Sequence, residues 1–172
     1  MTNKFGKWSG LAGIITAGLV LSGASAFAAN NVVLSGEVAA VNTVAVVGVA
    51  GVYNALNLAT TAAAVKVADV LETSNDNIGY TVTLRSANAA VTPQAVLKGA
   101  VGNAQGMNYS ITYGPGAGTA VTLIAGIATV SNSAVATSAE GTANNLRITY
   151  TGNSFLNADT YTDTITLTIA GK

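Results

Sequence analysis

The sequence predicts an all-β protein, an antiparallel sandwich of two sheets built from seven to ten short strands. Three observations carry that expectation. The run Asp159 to Ala170 (DTYTDTITLTIA) alternates strictly, with Tyr161, Asp163, Ile165, Leu167 and Ile169 on one side and threonine at most positions of the other. A strand sends alternate side chains to opposite faces, whereas a helix would scatter these apolar residues around its circumference. Turn-forming clusters, Ser74-Asn75-Asp76-Asn77 and Gly114-Pro115-Gly116-Ala117-Gly118, punctuate the patterned runs. Charged residues make up only 8% of the chain, yet no apolar run past residue 30 is long enough to span a membrane as a helix.

The chain opens on a targeting pattern. Lys4 and Lys7 precede an apolar stretch from Leu11 to Leu21, and Ala24-Ser25-Ala26-Phe27-Ala28-Ala29 supplies the small residues of a cleavage site. This is the arrangement of a secretory signal peptide, so 1–29 is expected to be removed after Ala28 or Ala29, leaving 30–172 as a single β-sandwich domain. An uncleaved anchor helix is the alternative. Without Lys4 and Lys7, five basic residues face seven acidic ones. With no cysteine, packing and hydrogen bonds alone must hold the exported domain together.

Asn31 to Val41 then reads as a first strand, with Val32, Leu34 and Val38 on one face. Thr43 to Val52 alternates little and fits a strand buried on both faces or a flexible apolar segment. Ala55 to Ala59 is a short candidate strand. Val65 to Leu71 follows, with Val65, Val67 and Leu71 inward and Lys66 and Ala68 opposite. Across the Asn/Asp turn it is expected to form a hairpin with Ile78 to Ser86, whose Ile78, Tyr80, Val82 and Leu84 share a face. Ala87 to Gly106, with Pro93, is irregular; Ala95 to Lys98 is a short strand or a helical turn. Met107 to Tyr113, Ala120 to Ile124, Ile127 to Val130 and Asn145 to Tyr150 are further strands, with Ser131 to Asn144 and Thr151 to Ala158 as loops. Tyr80, Val82, Leu84, Ile111, Leu146, Ile148, Ile165, Leu167 and Ile169 are the expected core. The strand pattern favours an immunoglobulin-like sandwich, without the Cys…Trp…Cys hallmark of antibody domains.

The chain contains no histidine, which removes the commonest general base and any Ser-His-Asp triad. Asp69, Glu72, Asp76, Asp159 and Asp163 are the carboxylates available for glycosidase chemistry, and Asp69, Glu72, Asn75, Asp76 and Asn77 are oxygen ligands of the kind calcium takes. Their positions favour turn formers and solvated strand ends, and the EF-hand spacing is absent. No catalytic, cofactor or metal site is expected, and the scattered basic residues make no track for nucleic acid. Most tyrosines fall on apolar strand faces and belong to the core. Tyr53 and Phe155, in expected loops, are the pair placed to face a sugar. The sequon Asn108-Tyr109-Ser110 lies within an expected strand.

The stretch Ser74 to Asn88 (SNDNIGYTVTLRSAN) resembles a segment of small secreted bacterial β-sandwich proteins. Ala158 to Ile169 (ADTYTDTITLTI) resembles the closing strand of spore coat protein U-like domains and chaperone–usher pilins, whose pattern is A-G-x-Y-x-D-x-[IV]-x-[VL]; Asp159 stands here in place of the glycine. The resemblance implies a non-enzymatic, secreted subunit of a bacterial surface fibre, coat or matrix, exported through the periplasm. It further implies that the subunit lacks one strand and that a neighbour's N-terminal extension fills the gap. The segment Asn30 to Val41 is the expected assembly strand, with Val32, Leu34, Gly36 and Val38 entering the groove. The expected partners are further copies of the chain or a periplasmic chaperone. Two alternatives stand beside this: the segment is the first strand of a complete sandwich, or the protein is a monomeric binding module, for example for carbohydrate.

Overall fold

The computed structural model describes residues 34–89 and 94–172. The expected signal peptide, its cleavage point, Val32 and Pro93 lie outside these residues. Residues 38–172 make one compact unit. Its strands are β1 (Asn42–Gly48), β2 (Ala62–Ser74), β3 (Tyr80–Ser86), β4 (Ala95–Lys98), β5 (Gly106–Gly114), β6 (Thr119–Val121), β7 (Ile127–Ser133), β8 (Thr142–Tyr150) and β9 (Ile165–Gly171). No helix occurs among the described residues. All pairings between strands are antiparallel.

The strands form an all-β sandwich of two unequal sheets. The larger sheet has six strands in the order β1-β2-β8-β5-β4, with β6 following β4 along the same edge of β5. The smaller sheet has three, in the order β7-β3-β9. Between them lies a core that includes Val70, Leu84, Ile111, Tyr113, Leu146 and Ile148, all buried.

β2 departs from the alternation expected of it. After Val67 the buried residues are Ala68, Val70, Glu72 and Ser74, while Leu71, expected inside, is exposed. The ladder to β8 explains this. Lys66 stands opposite Arg147, but Ala68 stands opposite Leu146, so β2 carries an extra residue there. Such a bulge reverses the parity of everything after it. A second slip lies between Ala62 and Val65. Within it Ala64 takes a positive φ of 49°, donates its N–H to Thr149 Oγ1 at 2.8 Å and accepts from Arg147 Nη1 at 3.0 Å.

The expected hairpin between β2 and β3 does not form. β2 pairs with β1 and β8, and β3 pairs with β7 and β9, so the turn carries the chain from one sheet to the other. Gly79 sits at that corner with φ 96°, where a Cβ would collide with the Ser133 carbonyl. Ile78 belongs to the corner and is exposed rather than buried. The two strands instead meet across the sandwich, where the Tyr80 hydroxyl donates to Glu72 Oε2 at 3.0 Å. Tyr113 and Ser131 donate to Glu72 Oε1 at 2.6 and 2.7 Å. Glu72, expected at a solvated hairpin tip, is thus 1% exposed and joins β2 and β5 of one sheet to β3 and β7 of the other.

Other expectations shift at their margins. Residues 34–41 of the expected first strand carry no strand, Ala55 to Ala59 is loop, and Thr43 to Gly48 belongs to an edge strand whose Val46 and Val47 are exposed. β7 continues to Ser133 and β8 starts at Thr142, shortening the expected loop between them. The last strand begins only at Ile165, because Asp159 and Asp163 bond the backbone of the preceding segment with their side chains. Tyr80, Val82, Leu84, Ile111, Leu146 and Ile148 are buried as expected, whereas Ile165, Leu167 and Ile169 are half-buried because β9 is an outer strand of the smaller sheet.

Leu84→Ala should cost about 2–5 kcal/mol in urea denaturation, and Leu167→Ala clearly less, since truncation is most costly where the side chain is enclosed. Glu72→Ala strands three hydroxyls between the sheets and should cost about 3 kcal/mol or more, with Glu72→Gln intermediate.

Candidate functional site

Among the described residues, the smaller sheet leaves main chain without a ladder on both sides. β3 is its centre; among the described residues, β7 and β9 have no ladder partner on their outer edges. β9 sends Thr166, Thr168 and Ala170 outward and Ile165, Leu167 and Ile169 inward, the latter three only half-buried. It therefore combines a row of backbone donors and acceptors without a ladder partner among the described residues with an incompletely covered apolar stripe of period two. β1, one outer strand of the larger sheet, lies beside β9 without pairing to it. β7 offers a weaker stripe: Ala128 and Val130 are half-buried, after which Ser131 turns to Glu72.

The segment leading into β1 is tied down at one point. Val41 N–H donates to Asn75 Oδ1 at 2.7 Å, Asn75 N–H donates to the Val41 carbonyl at 3.0 Å, and Asn75 Nδ2 donates to the Ala39 carbonyl at 2.8 Å. One side chain thus extends the β1–β2 ladder past its last register pair, Asn42 with Ser74. Before that clamp, Val38 is 85% exposed. Leu34 is likewise exposed, residues 34–37 carry no regular structure, and Val32 lies outside the described residues.

The start of β9 is held by Asp163. Its carboxylate accepts from Ser86 Oγ at 2.6 Å, Tyr109 Oη at 2.7 Å, Asn88 N–H at 3.1 Å and Thr164 N–H at 2.7 Å. β3, β5 and the chain after β3 are therefore bound to the first turn of the outer strand. The sequence carried a sign of this, because Asp163 occupies an apolar position of an alternating run. Glu72 carried none, since the bulge that turns it inward depends on pairing with β8. Among the other candidate carboxylates, Asp69 faces outward on the side of β2 opposite Glu72 and pairs with Lys66 at 2.6 Å. Asp76 accepts from Ile78 N–H at 3.1 Å within the corner.

One end of the sandwich carries an open cleft of about 710 Å³ between the loop after β1 and the loop before β9. Tyr53, Leu56, Leu58, Leu97, Leu156 and Tyr161 line it together with several asparagines. Phe155, expected to act with Tyr53, is exposed but does not line it. Asp159 lies in its wall, accepting from Asn103 Nδ2 at 2.8 Å, Ala100 N–H at 2.9 Å and Thr160 N–H at 2.8 Å. The bond from Asn103 foremost, with that from Thr160, holds its carboxyl below the ordinary value.

No family model matches the chain, and no curated protein matches it. Among solved structures, the crystal structure of the E. coli Hda pilus minor tip subunit, HdaB, is similar at a TM-score of 0.38 and 13% identity, covering 74% of this chain and 79% of that one.

Asp163→Ala should speed hydrogen exchange of β9 amides more than those of β8, because the group it removes anchors β9. Burial, reinforced by the adjacent carboxylates, raises the phenol of Tyr109 beside Asp163 and that of Tyr113 beside Glu72 above the ordinary value near 10. In each case the fold retains a proton that the unfolded chain releases. The stability they contribute is complete below about pH 10 and falls as pH rises above it. Tyrosinate absorbance followed together with circular dichroism should show these two phenols ionising only as the strands unfold.

Proposed function

We propose that this chain is a secreted, non-enzymatic subunit of a bacterial surface fibre, coat or matrix. In this reading 1–29 is removed on export, and subunits join by strand addition. The arm from residues 30–41 of one copy pairs with the outer edge of β9 in the next. The observation that carries the reading is the combination on β9 of an unpaired edge, among the described residues, with half-buried Ile165, Leu167 and Ile169. Exposed apolar edges are pairing templates, and proteins ordinarily cover or charge them. An added strand would satisfy the main chain and lay alternate side chains into the stripe.

The arm has the matching pattern. Val32, Leu34, Gly36 and Val38 share one parity, and Gly36 lets the backbones approach closely. Leu34 and Val38 are exposed within a single copy, so burial on a neighbour is where they gain. β9 is a better acceptor than β7 because three large aliphatic residues line its inner side. Capture of the arm by a periplasmic chaperone would protect the same edge before assembly. The resemblance of Ala158 to Ile169 to the closing strand of pilin-like subunits agrees with β9 as the acceptor.

The test is the double variant Leu34→Asp/Val38→Asp in the exported protein. Both side chains are exposed in the single copy, so the melting temperature at low concentration should match the parent. Size-exclusion chromatography and electron microscopy should show assemblies for the parent and monomers for the variant. A peptide of residues 30–41 added to a chain lacking them should raise its melting temperature. A parent that stays monomeric at high concentration, or a variant that assembles as the parent does, refutes the reading.

A further inference from the structure

The cleft at the end of the sandwich has a composition that the assembly reading does not use. Its volume of about 710 Å³ lies within the range of roughly 300–1,000 Å³ typical of small-ligand sites. Its two walls come from residues 53–59 and 153–163, loops mounted on the rigid ends of β1, β8 and β9. Leu56, Leu58, Leu97 and Leu156 give it apolar surface.

Tyr53 is the aromatic element. It is 56% exposed and lines the cleft. Its ring lies over Gly48, where a Cβ would come within 2.7 Å of Cδ1. The absence of a side chain at Gly48 thus lets the ring lie down on the backbone at the end of β1. An aromatic ring held in this way is a stacking platform of low conformational entropy.

Around it stand amides with hydrogen-bonding capacity to spare. Asn57 Oδ1 accepts from Ala59 N–H at 3.1 Å and Asn153 Oδ1 from Phe155 N–H at 2.9 Å, which fixes both side chains and leaves their NH₂ groups without a partner among the described residues. The side-chain amides of Asn54 and Asn157 likewise bond to no described residue, while the Asn157 backbone is held by Gln105 and Tyr161. No basic residue lines the cleft, and its charged members are Asp159 and Asp163. Both of those carboxylates are occupied by protein donors.

We propose that this cleft binds a neutral saccharide. Tyr53 stacks on a sugar ring, and Asn54, Asn57, Asn153 and Asn157 meet its hydroxyls. Amides pair well with hydroxyls because each presents donors and an acceptor side by side. The lack of a cation and the presence of two carboxylates exclude sulfated or uronic sugars by repulsion. The residues assigned to the sugar, Tyr53, Asn54, Asn57, Asn153 and Asn157, belong neither to the arm nor to the apolar stripe of β9, so each site can be altered without the other.

The experiment is amide NMR of the exported protein titrated with neutral gluco-, galacto- and manno-oligosaccharides, with a sulfated oligosaccharide in parallel. At least one neutral probe should shift resonances confined to residues 53–59 and 153–163, and the sulfated one should not. Tyr53→Ala should weaken that binding about tenfold and Asn157→Ala about threefold, consistent with one lost contact each. Gly48→Ala, which removes no ligand-contacting atom, should also weaken it by displacing the ring, while Phe155→Ala should leave it unchanged. Thermal melts establish that each variant is folded. No shift in the cleft with any neutral probe at millimolar concentration, equal binding of the sulfated probe, or full binding by folded Tyr53→Ala overturns the proposal.

Discussion

The buried carboxyl of Glu72 is the interaction on which the two-sheet arrangement rests. An uncompensated polar group of this kind would oppose folding by several kcal/mol. Here three hydroxyls converge on it: Tyr113 from its own sheet, and Tyr80 and Ser131 from the opposite one. The geometry is demanding, because all three donors reach their distances only when the sheets are stacked in one register. In a chain without cysteine this cluster performs the cross-sheet fixing that a disulfide performs in many secreted sandwiches. It specifies one packing of otherwise interchangeable small aliphatic residues.

Asp163 repeats the device at the other end of the smaller sheet. Its four donors come from β3, β5, the chain beyond β3 and its own neighbour Thr164. β9 is consequently secured at its start by a side chain and along one edge by β3, while its other edge is unpaired among the described residues. A strand that is held firmly yet half covered is suited to receive another strand, because the acceptor loses little entropy on pairing. Ile165, Leu167 and Ile169 stay half-buried because β9 is an outer strand of the smaller sheet, with β3 on one side only among the described residues.

In the two readings proposed above, recognition and assembly fall on separate parts of the scaffold. Strand addition concerns main chain and apolar side chains along the length of the sandwich. The asparagine-rich loops at its end contribute nothing to that ladder, and the positioning of Tyr53 over Gly48 depends on the end of β1 alone. Loops on a rigid sheet can therefore carry recognition without altering assembly.

What the sequence determined by itself is local: the period-two alternation of β3, β5, β8 and β9, the turns at Asn75 to Asn77 and Pro115 to Gly118, the burial of Tyr80, Tyr109, Tyr113 and Tyr150, and the absence of imidazole and thiol chemistry. These follow from short-range backbone geometry and composition. Only the tertiary structure decided which strands share a sheet. β2 and β3 are neighbours in sequence and carry a good turn between them, yet the Glu72 cluster and the Gly79 corner place them in opposite layers. It also decided which way β2 faces, because a bulge is a property of two paired strands and leaves no period in either one. The half-burial of β9 likewise depends on its being outermost, a matter of strand order that its own residues, alternating as cleanly as any core strand, do not encode.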